Sequence, residues 1–209
     1  MYKPFIQPPA LVRQLYPNRL WRMNPLEQSV YLTFDDGPHP EITPFVLEQL
    51  SRAGAKATFF CIGSRVAAHP SIYRQILKEG HRVGNHTYQH LNAWHTNQAT
   101  YLHDVSSAAN LIDSNLFRPP YGKLPWQVAK QIPSVMKAPA QIVMWDILSG
   151  DFDQRLSAAD CLQNCRAFLR PGSIIVLHDS EKAWERLSVL LPALVSLTAS
   201  SGYSLKSLP

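Results

Sequence analysis

Short apolar runs alternate along this chain with longer stretches in which apolar positions recur every three or four residues. Residues 29–34 (SVYLTF) form a β-branched and aromatic run closed by the turn sequence DDGPHP, and Thr43 and Pro44 then open a helix through FVLEQLSRA. Residues 57–62 (ATFFCI) read as a second buried strand. Pro70 opens a further helix, SIYRQILKEG, which Gly80 ends as a C-cap. RVGNH is the next strand candidate, followed by a helical pattern through Leu102, Val105, Ala109 and Ile112, then LFRPPYG, a short helix near WQVAKQI and the strand QIVMWDI. The last third repeats the scheme with a helix over 158–169, a strand over 173–177, a helix from Trp184 to about Leu197, and a closing YSLKSL.

This alternation predicts an α/β protein with a parallel sheet under helices, either a closed barrel or an open doubly wound sheet. Periodicity does not choose between them. The polar segments DDGPH, NHTYQH, RPPYG, WDILSGD and HD all fall at the C-terminal ends of predicted strands. In a barrel those ends converge on one face, where such folds keep their active sites. The first 28 residues precede the pattern and read as an arm packing over one end of a domain spanning 29–209. Its apolar residues Phe5, Leu11, Leu15, Tyr16, Leu20 and Trp21 are interleaved with Arg13, Arg19 and Arg22. Pro8, Pro9, Arg13 and Pro17 interrupt the apolar core that a secretory signal requires, so the expectation from this segment is a cytoplasmic protein.

Composition narrows the classes. With 209 residues, 45% of them hydrophobic and 17% charged, the chain builds a core without disulfide or metal staples. The formal charge of +5 comes from singly scattered Lys and Arg, which excludes a nucleic-acid surface as the expected role. No apolar run is long enough to span a bilayer. Cys61, Cys161 and Cys165 match neither a disulfide framework nor a zinc ribbon and read as small buried hydrophobes.

Two adjacent aspartates, Asp35 and Asp36, close an apolar strand. Neighbouring residues at a strand end point in different directions, so one carboxylate can hold a metal while the other acts as a base. His86 and His90 form an H-x-x-x-H pair that reaches one ion from a helix or a loop, and with Asp36 they make a three-ligand set with open positions, the pattern of a catalytic metal. Arg118–Gly122 (RPPYG) is a stiffened strand end, and His178 ends the apolar run SIIVL. Taken singly, each is as readily structural: an Asx turn, a surface histidine pair, a rigid turn, a satisfied core histidine.

Together, TFDDGP (33–38), HTYQH (86–90), RPPYG (118–122) and LH (177–178), in this order, resemble the motifs of the polysaccharide deacetylase family with the NodB homology domain, carbohydrate esterase family 4. The resemblance runs from about Val30 to about Asp179. It implies a distorted (β/α) barrel with fewer than eight units, one divalent ion and hydrolysis of acetyl groups on sugars. It also implies Asp36, His86 and His90 as metal ligands, Asp35 as general base, His178 as general acid, Arg118 as the residue holding Asp35, and the Tyr121 backbone N–H as an oxyanion donor. Zinc is the metal expected for a set of two histidines and one carboxylate.

The fourth family motif departs from its pattern, with Leu148 at an acidic position and Phe152 at a tryptophan. Asp151 is then the expected partner of Arg118 or His178, with Asp146 second. Tyr121, Trp94, Trp145 and Phe152 are the aromatic residues available to stack on a sugar. The expected activity is removal of acetyl groups from N-acetylated sugars of a peptidoglycan or chitin-like glycan. The alternatives are an O-acetyl esterase acting on a substrate such as acetylxylan, or a non-catalytic carbohydrate-binding barrel. Hydrolysis of a small cyclic amide is disfavoured by the intact TFDDGP. Family members acting on cell walls are normally exported, an expectation opposed to the one drawn from the N-terminal segment.

Overall fold

A computed structural model describes residues 6–136 and 139–209. Its strands are β1 (Ser29–Asp35), β2 (Thr58–Cys61), β3 (Arg82–Asn85), β4 (Leu116–Phe117), β5 (Gln141–Ile142), β6 (Ile147–Leu148), β7 (Ile174–His178) and β8 (Ser204–Leu205). The principal helices are α1 (Ala10–Leu15), α2 (Ile42–Arg52), α3 (Gly63–Ala68), α4 (Pro70–Lys78), α5 (Gln98–Ala109), α6 (Trp126–Ala129), α7 (Ile132–Val135), α8 (Ala158–Phe168) and α9 (Trp184–Ser200). All strand pairs are parallel, in the order β5-β4-β3-β2-β1-β7-β6, with β8 added beside the start of β1.

The order of the edge strands forces the sheet to curl. β5 and β6 are opposite edges, yet only residues 143–146 join them. Five residue steps reach at most about 18 Å, whereas the edges of a flat seven-stranded sheet lie about 29 Å apart. The result is the distorted (β/α) barrel, with a seam between β5 and β6. The N-terminal arm lines that seam: Leu20 N–H donates to Ile142 O at 2.8 Å, Met144 N–H to Leu20 O at 2.8 Å, and Leu148 N–H to Ile6 O at 2.8 Å. Phe5 lies outside the described residues.

Three expectations are corrected. QIVMWDI is not one strand, because the chain must leave one edge of the sheet and reach the other within it. The WQVAKQI region forms two short helices, α6 and α7, and α3 was not anticipated.

β1 is buried along its whole length, as a central parallel strand should be. Its alternation sorts two environments. Val30, Leu32 and Phe34 join the large cluster under α2 and α9, which also takes in Cys61, Cys161 and Cys165. Tyr31, Thr33 and Asp35 belong to the other face. Tyr31 packs there with Phe60, Leu116, Val143 and Ile174. The barrel interior is therefore apolar at its base and becomes polar toward the strand ends.

Candidate active site

The same period of two places Asp35 and His178 on that interior face. They are register partners on the hydrogen-bonded strands β1 and β7. Arg118, which follows β4, reaches in from across the barrel: its Nη1 donates to Asp35 Oδ1 at 2.7 Å and Thr33 Oγ1 at 2.8 Å, and its Nη2 to Met144 O at 2.9 Å. The guanidinium is buried and lies 4.1 Å over the Phe60 ring. An arginine so fixed holds the Asp35 carboxylate in one orientation.

Asp36 lies one residue beyond, where the chain leaves the strand with φ of 78°. That left-handed turn sends its side chain away from Asp35 and toward the loop after β3. Nε2 of His90 and of His86 lie 3.2 and 3.7 Å from Asp36 Oδ1, and one donor atom from each of the three residues lies within 4.8 Å of the others. His86 Nδ1–H donates to Arg118 O at 2.8 Å, which leaves its Nε2 lone pair on the cluster side, while burial pushes its pKa down to about 4 and keeps the ring neutral. Asp36 Oδ1 is buried and has no hydrogen-bond partner. Two imidazole donors gathered beside an unsatisfied carboxylate oxygen make a three-donor set that fits a single cation.

The histidines stand on a loop, not a helix. Thr87 and His90 both have positive φ, 65° and 58°, a strained conformation that persists only when the surroundings impose it. Here Asp104 of α5 imposes it by accepting from Tyr88 N–H at 3.0 Å and Gln89 N–H at 3.1 Å. The Gly63 and Ser64 N–H groups at the start of α3 bond back to the Thr87 and Tyr88 carbonyls.

On the other side, Asp151 Oδ1 accepts from His178 Nδ1–H at 2.8 Å and Asp151 Oδ2 from the His178 backbone N–H at 2.8 Å. Burial alone would depress the His178 pKa, but the Asp151 charge and hydrogen bond outweigh it and raise the value to about 9. Asp151 therefore partners His178 and not Arg118. Asp146 is not in the site: it precedes β6, at the opposite end, where it binds Arg170, Ser173 and the N-terminal arm. Tyr121, with φ of 60°, sets its exposed ring edge-on to His90 at 4.8 Å. Its turn rests on Trp145, whose ring leaves no room for a Cβ at Gly122.

Two supporting residues escaped the sequence reading. Asp104 looks like any polar residue on a helix. Asp179 follows His178 and is wholly buried; its Oδ1 accepts from Gly37 N–H at 3.0 Å and its Oδ2 from Thr43 O–H at 2.5 Å, pinning the DDGP turn to β7. Its place directly after the strand-end histidine was the available signal.

Residues 22–136 match the family model described as polysaccharide deacetylase. The chitooligosaccharide deacetylase of Azorhizobium caulinodans is 35% identical over 165 residues, which are 76% of this chain and 77% of that protein. The chain belongs to the polysaccharide deacetylase family. Among solved structures of this family, a peptidoglycan N-acetylglucosamine deacetylase complexed with an N-oxidanyl-benzamide superposes with a TM-score of 0.81 at 28% identity, covering 92% of this chain and 91% of that one. A mutant of a family 4 pseudoenzyme with restored enzymatic activity superposes with a TM-score of 0.79 at 25% identity, covering 90% and 68%.

Proposed function

We propose that this chain is a metal-dependent hydrolase that removes acetyl groups from N-acetylated sugars of a poly- or oligosaccharide. The observation that carries the reading is the pairing of Asp35 with His178 at one register position, beside the Asp36, His86 and His90 cluster. A base and an acid, each held by its own buried partner, stand next to a set of metal donors. A binding module has no need of all three.

Zinc suits the donor set of two histidines and one carboxylate. A divalent ion bound there supplies Lewis acidity, which draws charge onto the acetyl oxygen and makes water acidic enough to attack near neutral pH. Asp35, oriented by Arg118, takes the proton of the attacking water. The backbone N–H of Tyr121 is the donor assigned to the developing oxyanion. An amide nitrogen leaves only when protonated, and His178, cationic through Asp151, delivers that proton. Asp151 acts through His178, so it is a positioning residue.

The test is to incubate the purified, metal-loaded protein with a panel of N- and O-acetylated glycans and to measure both free acetate and newly formed amines. Acetate with matching amine supports the proposal. Acetate without amine makes the chain an O-acetyl esterase, and no acetate from any glycan overturns hydrolysis.

A further inference from the structure

The loop that carries Tyr121 is held at both ends. At its start, after β4, Arg118 N–H donates to Asn85 O at 3.0 Å. At its end, Leu124 O accepts from Nη2 of Arg19, a residue of the N-terminal arm, at 2.9 Å. Between the two holds Tyr121 has a φ of 60°, a conformation that a residue with a side chain keeps only where its surroundings impose it. Arg19 is buried, and its guanidinium lies 4.2 Å over the Tyr16 ring of the same arm. Among the described residues no carboxylate pairs with it. A buried guanidinium without a counter-ion is costly, and the side-chain hydrogen bond of this one goes to the closing carbonyl of the loop.

The arm also grips the segment packed against that loop. Met144 N–H donates to Leu20 O at 2.8 Å, while Met144 O accepts from Arg118 Nη2 at 2.9 Å. Trp145, the next residue, is the ring that fills the space beside Gly122. Trp21 of the arm shares one apolar cluster with Leu124, Met144 and Trp145. Arg19 precedes residue 22, where the match to the family model begins, so the family motifs do not contain this contact.

We propose that Arg19 is a positioning residue for the reaction: it clamps the far end of the 118–124 loop and so keeps the Tyr121 N–H aimed at the developing oxyanion. Without the clamp the left-handed turn relaxes and the donor shifts. A displaced oxyanion donor costs transition-state stabilisation and leaves substrate binding nearly as it was. The role of the Tyr121 N–H rests on the deacetylase reading above, whereas the clamp itself is a property of the chain without substrate.

Two measurements on metal-loaded Arg19→Met protein test this. Hydrogen exchange, followed by mass spectrometry on peptides covering 118–124, needs no substrate. Exchange there is expected to rise about tenfold, the effect of losing a hydrogen bond from a charged donor, with peptides covering 85–90 and 174–179 unchanged. With an N-acetylglucosamine hexamer, kcat is expected to fall about tenfold through the misplaced donor, while KM stays within about twofold. Arg13→Met alters the same arm at a residue bonded to Asp146 at 3.4 Å, and it is expected to leave both readings at their native values. Tyr16→Leu removes the ring under the guanidinium and is expected to raise exchange over 118–124 about threefold, which gives a reading even where Arg19→Met fails to fold. Unchanged exchange over 118–124, an equal rise in all three segments, or an equal loss of kcat in Arg13→Met overturns the proposal. A native chain that releases no acetate from the hexamer sinks the deacetylase reading instead, while the exchange data still decide whether Arg19 holds the loop.

Discussion

Asp36, which is partly buried, and Asp146, which is fully buried, are aspartates of one barrel with opposite surroundings. Asp146, before β6, accepts from Arg170 at 3.0 and 2.6 Å, Ser173 at 3.0 Å, Gln7 at 3.2 Å and Arg13 at 3.4 Å, so both of its oxygens are satisfied. Asp36, beyond β1, has a buried oxygen with no hydrogen-bond partner, on a left-handed residue, faced by two imidazoles. A carboxylate that holds a structure together is saturated by donors. One meant for a ligand is left short, and the backbone around it is strained to keep it so. The base of the barrel is thus built for stability and the strand ends for chemistry.

That contrast is broken most decisively by removing each aspartate in turn. Asp36→Ala is expected to abolish metal retention and to lower acetate release by at least about 10³-fold, with thermal unfolding changed little when both proteins are metal-free. Elemental analysis and an acetate assay read the first two effects. Asp146→Ala is expected to do the reverse. It leaves Arg170 and Ser173 without their acceptor and costs about 2–3 kcal/mol of stability, the partly exposed arginines keeping the loss at the low end for a buried pair. In a chain of this size that lowers Tm by about 5–8 °C. The rate per folded molecule stays the same. If Asp146→Ala dropped the metal, the division between the two ends would be wrong.

A smaller effect sharpens the chemistry at the strand ends. The His178 pKa is raised to about 9, so its acid form is fully present below the ordinary imidazole range and is lost as pH rises through that value. Asp151→Asn removes the charge that raises it and is expected to move the alkaline limb of kcat/KM to lower pH by about 1–2 units. An unmoved limb would assign the alkaline loss to another group.

Much of this was legible in the residues themselves. The strand ends at Asp35, Asn85 and His178 follow from apolar runs bounded by turn residues, whereas the choice of a barrel over an open sheet came from the family resemblance and not from periodicity. The segment 141–147 was not legible as two strands, because its near-continuous apolar character reports burial, and burial is the same whether one strand continues or the chain crosses a seam. The sequence named Asp151 first and Asp146 second as the acidic partner of Arg118 or His178, and what it did not decide was which of the two basic residues Asp151 serves. Asp146 and Asp151 are both acidic residues in WDILSGD, and only the position of β6 between them sends one to each end of the barrel. Asp104 and Asp179 were missed for a related reason. They act through backbone N–H groups of other segments, and no local pattern records that.

The central claim is that the adjacent aspartates Asp35 and Asp36 do different work because one ends a strand and the other leaves it. Metal content and acetate release, measured side by side for Asp35→Asn and Asp36→Asn, test it directly. The account predicts that Asp35→Asn keeps about one metal ion per chain, as a single three-donor cluster holds, while losing about 10²–10⁴-fold in rate through the missing base, and that Asp36→Asn loses both. Release of the metal by Asp35→Asn, with Asp36→Asn retaining it, would contradict the account.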